Sequence, residues 1–189
     1  MEILFDGTSL DNWTRQDGEA PDWAITDGCM TVGKGNIVSK AAFGDARLHV
    51  EFRIPAMPWA KGQDKGNSGV YLQGRYEIQV LDSYGVEEPT HDDCAAIYNL
   101  AAPRTNACLP AEEWQSYDII FRAPRFADGA VTEPARLTLI QNGVVVHNNL
   151  ILSRCTPGGV SGKEAETGPL LLQDHGNPVS FRNIWLEAL

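Results

Sequence analysis

Alternation between apolar and polar residues runs through most of the chain, and helical periodicity is nearly absent. In the segment 48–54 one face is entirely apolar, and the other carries His49, Glu51 and Arg53. Successive side chains of a strand point to opposite faces, so this segment is predicted to be a half-buried strand. Three further segments alternate in a similar way: 116–122, 136–140 and 181–186. Short strands separated by Gly- and Pro-rich joints predict an all-β sandwich or barrel.

The segment 75–81 differs from an ordinary solvated strand in the kind of polar groups that share one of its faces. Its apolar side chains point one way, while Arg75, Glu77 and Gln79 point the other. Near the C-terminus, Gln173 and His175 are also spaced to share a face. Sugar hydroxyls require planar donors and acceptors held on rigid elements. The pattern therefore predicts a sugar-binding groove on the surface of a sheet.

The joints between the predicted strands include one tight hairpin and three long loops. Asn142-Gly143 lies between two apolar runs, which is a strong signal for a hairpin turn. The long loops are polar or rich in Gly and Pro and cover residues 56–66, 83–93 and 155–168. Long loops in a compact domain are usually functional or disordered, and here they are predicted to form the rim of the groove. No repeat or linker divides residues 1–189, so a single domain is expected.

Composition disfavours two classes of partner. The formal net charge is -10, and no basic run is present to neutralise phosphates, so nucleic acid is not an expected partner. The same charge disfavours binding to anionic membrane surfaces. No apolar run approaches the roughly 18 residues of a membrane span, so membrane insertion is not expected. The segment Met1-Glu-Ile-Leu-Phe5 does not resemble a signal peptide.

The four cysteines leave two interpretations open. Cys94 and Cys108 flank a segment rich in turn residues, and a disulfide between them would contribute about 3 kcal/mol by closing that loop. Such a bridge would imply an extracytoplasmic compartment. A second bridge between Cys29 and Cys155 is a weaker candidate. The alternative is four buried free thiols in a cytosolic protein. No Cys/His cluster indicates zinc.

The titratable residues leave several chemistries open. His175 ends an apolar strand and precedes a glycine, a place where a histidine can act as a general base or a metal ligand. The nearest position to Glu77 on its own face is Gln79, which cannot ionise, so the two opposed carboxyl groups of an ordinary glycosidase are not evident. Glu51 is a candidate second carboxylate or a partner in a surface ion pair. The acidic run 87–93 is interpreted as a solvated loop or as a site for a divalent cation.

A series of short motifs carries a family resemblance across nearly the whole chain. In order, these are Leu4-Phe-Asp-Gly-Thr-Ser-Leu-Asp-Asn-Trp13, Asp27-Gly28, Glu51-Phe-Arg-Ile-Pro55, Asn67-Ser-Gly69, Tyr76-Glu-Ile-Gln79, Ala96-Ile-Tyr98, Glu113-Trp114, Asn142-Gly143, Gln173-Asp-His-Gly176 and Phe181-Arg-Asn-Ile184. With this series the sequence resembles the 3-keto-disaccharide hydrolase family, also described as 3-keto-glucoside 1,2-lyases and hydratases. The chain departs from the expected pattern at Gln115-Ser116, which is a packing position. The resemblance implies a concanavalin A-like jelly roll of two antiparallel sheets with a concave groove, in an exported, extracytoplasmic protein.

The implied activity is cleavage of a 3-keto-glycoside. A ketone at C3 acidifies the proton at C2, so one base can remove that proton, the aglycone can leave from C1, and water can then add back. Glu77 and His175 are the candidate base and acid in either order. The candidate substrate-binding residues are Arg53, Asn67, Gln79, Tyr98, Gln173 and Arg182. Arg182 is equally a candidate for a structural salt bridge.

Two alternative functions remain open from the sequence. A carbohydrate-binding, lectin-like module on the same fold would bind a 3-keto sugar or another oligosaccharide without a base or an acid. A conventional glucanase would require a second carboxylate within about 10 Å of Glu77. No cofactor is expected with certainty, and a divalent cation remains possible.

Overall fold

The computed structural model describes residues 1–189 and consists almost entirely of β-strands joined by turns and loops. A single 3-10 turn, Gly62–Asp64, is its one helical element. No helix is long and apolar enough to cross a membrane. The strands are β1 (Glu2–Phe5), β2 (Trp13–Arg15), β3 (Ala24–Thr26), β4 (Cys29–Thr31), β5 (Ile37–Phe43), β6 (Ala46–Arg53), β7 (Ser68–Leu72), β8 (Tyr76–Val80), β9 (Trp114–Arg122), β10 (Arg125–Ala127), β11 (Ala130–Glu133), β12 (Ala135–Gln141), β13 (Val144–Leu152), β14 (Gly168–Leu172) and β15 (Ser180–Ala188).

The strands form two main sheets. Within each sheet, every pair of neighbouring strands is antiparallel. The eight-stranded sheet has the order β13-β12-β9-β6-β15-β4-β3, with β1 also paired to β15. The five-stranded sheet has the order β2-β5-β14-β7-β8. The short strands β10 and β11 form a separate hairpin. Two antiparallel sheets stacked in this way make a jelly-roll sandwich, and the predicted fold class is confirmed.

Alternation along each strand divides the side chains between the core and an outer surface. In β6 the apolar residues Leu48, Val50 and Phe52 are fully buried, and Phe52 packs against Tyr117 of β9 with ring centroids 4.6 Å apart. Of the polar residues that alternate with them in β6, Arg47 is exposed and the other three are partly buried. Complete burial of a side chain such as Phe52 contributes about 2 kcal/mol. The predicted strand at 48–54 is therefore confirmed, and it fixes which residues face outward.

The predicted hairpin at Asn142-Gly143 is also confirmed. These two residues connect β12 to β13, and Gln141 pairs with Val144 across the turn. Asn142 has a φ of 51° and Gly143 a φ of 80°. Two consecutive positive φ angles match the twist of an antiparallel pair, which explains why Asn and Gly occupy this turn.

The outer edge of the five-stranded sheet is covered by loops. β8 is an edge strand, and a strand edge left open would expose unpaired backbone groups. The segment 95–98 bonds to it through Ala95 N to Gln79 O (2.9 Å) and Tyr98 N to Glu77 O (3.1 Å). On the same strand, the backbone N–H of Glu77 donates to Thr156 Oγ1 (2.8 Å). These loops cover the outer face of β8. Its inner face packs in the core, so all five residues of the strand are buried.

The structure contains no disulfide, because all four cysteines carry free thiols. The predicted bridge between Cys94 and Cys108 is not formed, although the two side chains are hydrogen-bonded neighbours. The Cys94 sulfur also lies 3.3 Å from Tyr117 Oη and accepts from Gln141 Nε2 (3.4 Å), so the polar surroundings satisfy the reduced thiol. The bond to Cys94 and burial together raise the pKa of the Cys108 thiol well above its ordinary range.

Candidate active site

A cavity of about 110 Å³ opens on the outer face of the five-stranded sheet. Its lining residues are Gln63, Asn67, Tyr71, Glu77, Gln79, Tyr98, Pro157, Gly158, Gln173 and His175. Six of the eight site residues predicted from the sequence lie in this group: Asn67, Glu77, Gln79, Tyr98, Gln173 and His175. Segments far apart in the chain therefore meet at one place, as the polar faces of their strands and loops indicated.

The loops contribute to the cavity unequally. Gln63 comes from the predicted loop 56–66, and Pro157 and Gly158 come from the predicted loop 155–168. The loop 83–93 supplies no lining residue, although the carbonyl of Asp92 accepts a hydrogen bond from Gln63 Nε2 (3.0 Å). Two of the three predicted loops thus border the cavity. The third contacts the lining residue Gln63 through the carbonyl of Asp92.

Glu77 forms part of the cavity floor. It lies on β8 directly across from Tyr71 of β7, and only 3% of its surface is exposed. Burial disfavours the charged carboxylate and raises the pKa of Glu77 to about 7, while a hydrogen bond with Tyr71 acts in the opposite direction. A carboxyl group of this kind can hold or release a proton near neutral pH.

Tyr71 connects the floor to the neighbouring loops. Its hydroxyl donates to the carbonyl of Pro157 (3.1 Å) and accepts from Gln173 Nε2 (3.0 Å). Burial, followed by the nearby charge of Glu77, raises the pKa of Tyr71 well above its ordinary range, so the phenol stays protonated. Tyr71 is not among the substrate-binding residues predicted from the sequence. Its position two residues after Gly69, on the same strand face as Asn67, was the available signal.

His175 lies on the loop that follows β14, and it is exposed to solvent. The residues beside it fix this loop. The Asp174 carboxylate accepts from the backbone N–H groups of Gly35 (2.8 Å) and Gly176 (2.8 Å). Asn177 Oδ1 accepts from the backbone N–H of Asn67 (2.7 Å). The backbone on both sides of His175 is therefore hydrogen-bonded to neighbouring loops. Asp174 binds the loop before β5, and Asn177 binds the loop before β7.

Carboxamide side chains form a network along one part of the cavity. Asn67 Nδ2 donates to the carbonyl of Gln63 (2.7 Å), and Gln79 Nε2 donates to Gln63 Oε1 (2.9 Å). Asn67 Oδ1 and Gln173 Oε1 are buried and accept no hydrogen bond from the protein. Leaving a buried acceptor unpaired costs about 1–3 kcal/mol. Both of these acceptors belong to side chains that line the cavity.

The cavity lining contains one carboxyl group and one imidazole. Glu77 is the one carboxyl group of the lining and His175 the one imidazole, and neither Lys nor Arg is present. No cluster of three or more His, Cys, Asp or Glu side chains that could hold a metal ion occurs in the structure. Within the cavity, Glu77 and His175 are the side chains with the chemistry to ligate a divalent cation.

The structure places Arg53 and Arg182 outside the group of residues that line the cavity, so it does not bring them together with the other predicted substrate-binding residues. Both belong to the eight-stranded sheet, where β15 and β6 are neighbours. Their guanidinium carbons lie 4.9 Å and 4.0 Å from the ring centroid of Trp114. Arg182 Nε also bonds Glu51 Oε2 at 2.5 Å, so the alternative of a structural salt bridge is confirmed. Strand alternation identifies the outward face of a strand but not the sheet to which the strand belongs.

Comparisons with known proteins agree with this fold. A protein from Parabacteroides distasonis, provisionally assigned as a glycosyl hydrolase, is 39% identical and superposes with a TM-score of 0.92, covering 99% of this chain and 83% of that chain. A mutant of alginate lyase Aly36B in complex with alginate tetrasaccharide has a TM-score of 0.56 at 10% identity. The match covers 100% of this chain and 96% of that chain. The carbohydrate-binding module CBM66 from Bacillus subtilis has a TM-score of 0.51 at 14% identity. The match covers 94% of this chain and 96% of that chain. Among curated proteins no match was found.

The fold and the polar cavity define a jelly-roll domain of the glycosyl hydrolase-like, carbohydrate-active class. The more specific assignment comes from the sequence family. Residues 1–187 match the model of the 3-keto-alpha-glucoside-1,2-lyase-like domain, and the chain belongs to that family.

Proposed function

We propose that this domain is an enzyme that cleaves 3-keto-glycosides by elimination followed by hydration. The observation that carries the proposal is the pairing of one buried carboxyl group, Glu77, with one exposed imidazole, His175, in a single polar cavity. Elimination next to a ketone requires one base and one acid. Ordinary glycoside hydrolysis generally requires two carboxyl groups, and the cavity contains one.

In the proposed reaction, the base removes the proton from C2 of the sugar. The electron pair of that C–H bond forms an enolate with the C3 ketone, and the enolate then collapses to a C1–C2 double bond as the C1–O bond to the aglycone breaks. The acid transfers a proton to the leaving oxygen. Water then adds to C1 as hydroxyl and gives its other proton to the deprotonated acid, while the protonated base returns a proton to C2, which gives the free 3-keto sugar. No net oxidation or reduction occurs in either step.

We assign the base to His175 and the acid to Glu77. Burial favours the neutral form of Glu77, which has a proton to donate, and the hydroxyl of Tyr71 is available as its hydrogen-bond partner. The exposed imidazole of His175 can pass the abstracted proton to water. The acid role thus falls to the group whose burial favours the protonated form, and the base role falls to the other.

The remaining cavity residues are proposed to bind the sugar. The unpaired acceptors Asn67 Oδ1 and Gln173 Oε1 are suited to sugar hydroxyl donors. Tyr98 supplies a hydroxyl and an aromatic face on the opposite loop segment. Because no Lys or Arg lines the cavity, an uncharged sugar fits it better than a uronate.

The direct test is incubation with a 3-keto-glucoside that carries a chromogenic aglycone, with and without chelator. The wild-type protein is expected to release the chromophore, and E77Q and H175A are expected to lose about 10²- to 10⁴-fold in turnover. R182A, whose side chain lies on the other sheet, serves as the matched control and should retain turnover. If chelation abolishes release of the chromophore, a metal ion takes part in the reaction.

Two results would contradict the proposal. If the wild-type protein binds the keto-sugar without releasing the aglycone, and both variants bind it equally well, the domain is a lectin-like module. If the protein instead hydrolyses ordinary, non-oxidised glucosides and E77Q alone abolishes this activity, a glucanase with a second carboxylate is favoured.

A further inference from the structure

Gly69 occupies an unexpected place in the middle of β7. It pairs with Gln79 of β8, and its carbonyl accepts the backbone N–H of Gln173 (3.0 Å). Its φ angle lies outside the left-handed region, so the backbone does not require glycine here. A glycine inside a strand weakens the strand and often marks a site that another group approaches closely.

The group that approaches Gly69 is the carboxyl of Glu77. A Cβ atom added to Gly69 would lie 2.6 Å from Glu77 Oε1 and 2.8 Å from Tyr71 Cε2. Both distances are well below van der Waals contact. The space that any other residue would fill at position 69 is therefore already filled by two cavity residues.

We infer that Gly69 is a positioning residue whose missing side chain lets the Glu77 carboxyl group lie flat against the sheet instead of projecting into the cavity. In this position the carboxyl group lies next to Gly69 of β7, and only 3% of Glu77 is exposed. The consequence for catalysis rests on the proposed function. The geometric consequence does not, because it concerns the place of a carboxyl group in the free protein.

A methyl group at position 69 must displace one or both neighbours. The end of the Glu77 side chain is the more flexible of the two and has the cavity beside it, so it is expected to move into the cavity. Movement toward solvent reduces the burial that favours the neutral acid. The substitution G69A should therefore make Glu77 easier to ionise, although it adds only one carbon.

The first test is an NMR titration of the Glu77 carboxyl in the free protein, with E77Q used to assign the signal. The titration midpoint of Glu77 is expected to fall by about one pH unit in G69A. G162A is the matched control, because a Cβ on Gly162 meets no atom within 4 Å, and it should leave the midpoint unchanged. An unchanged midpoint in folded G69A would overturn the inference.

The second test is a double-mutant cycle in unfolding free energy, which remains informative if G69A folds poorly. If the methyl group acts mainly through Glu77, the destabilisation caused by G69A should largely disappear when E77A removes the carboxyl group. An equal loss in both backgrounds would show a general effect on the strand and would contradict the inference.

If the proposed function holds, turnover provides a third measurement. A misplacement of about 1 Å in a catalytic group costs about 10²-fold in rate, so G69A should lower kcat much more than it raises KM. A wild-type protein without lyase activity would refute the proposed function and leave the titration result to be judged on its own.

Discussion

Gln173 Nε2 donates a hydrogen bond to Tyr71 Oη over 3.0 Å and so joins two parts of the chain that are 102 residues apart. Tyr71 also lies directly across from Glu77 on the paired strands β7 and β8, and Gln173 lies two residues before His175. The acid and the base of the proposed reaction are therefore connected through a tyrosine and a glutamine. This connection makes Tyr71 a sensitive point for testing the site.

Removal of the Tyr71 hydroxyl should make Glu77 a weaker acid. Hydrogen bonding with the Tyr71 hydroxyl lowers the pKa of Glu77, against the larger effect of burial, so Y71F is expected to raise this pKa above its wild-type value of about 7. The change is opposite to that expected for G69A. An NMR titration of the Glu77 carboxyl measures it, and a midpoint that falls in Y71F would contradict the assigned hydrogen bond.

Glu77 should also make stability depend on pH in an unusual direction. Its pKa is about 7 in the folded protein against an ordinary value of 4.5, so the folded state binds the proton more tightly. The free energy of unfolding therefore falls as the pH rises from about 4.5 to about 7, by about 3 kcal/mol from this group.

Denaturant unfolding of the wild type and E77Q at several pH values measures this contribution. E77Q cannot ionise, so its stability relative to the wild type should increase across the same pH window. The two proteins should differ little in their pH dependence below the window. A constant difference at all pH values would show that Glu77 ionises as easily in the folded state as in the unfolded state.

Arg182 is expected to matter for stability and not for the sugar. Its ion pair with Glu51 and its contact with Trp114 are partly exposed, so R182A should lower the free energy of unfolding by about 1 kcal/mol. Q173A, which removes a cavity side chain, is the matched comparison and should lower kcat/KM. Loss of turnover in R182A with retained stability would show that the outer face of the eight-stranded sheet takes part in the reaction.

The thiols of Cys94 and Cys108 are expected to form a disulfide when the protein folds under oxidising conditions. Their side chains are already neighbours, and closing this loop would stabilise the protein by about 3 kcal/mol. Peptide mapping after alkylation in denaturant distinguishes the bridge from free thiols, and C108A is the control. Full alkylation of both cysteines after oxidative folding would contradict this expectation.

Strand alternation was sufficient to predict much of the fold and part of the site. The apolar face of 48–54 became the core face of β6, and Asn142-Gly143 became the β12–β13 turn. The same alternation placed Glu77 and Gln79 on the outer face of β8. These features depend on neighbouring residues in the chain, so a local pattern contains them.

The assignment of strands to sheets could not be obtained in that way. Arg53 and Arg182 point outward as expected, but from the eight-stranded sheet, because β6 pairs with β9 and β15. That strand order depends on contacts between distant segments. Burial of Glu77 also escaped prediction, since it results from the covering of β8 by residues 95–98 and Thr156.

In the proposed reaction, the difference in exposure between Glu77 and His175 would set a direction for proton movement. The imidazole meets bulk water and can exchange protons with buffer during every turnover, whereas the carboxyl group is shielded by the loops and by Tyr71. A proton given by Glu77 to a departing aglycone is therefore most directly replaced by the water molecule that enters to hydrate the unsaturated sugar. Product formation and resetting of the acid would then be a single event.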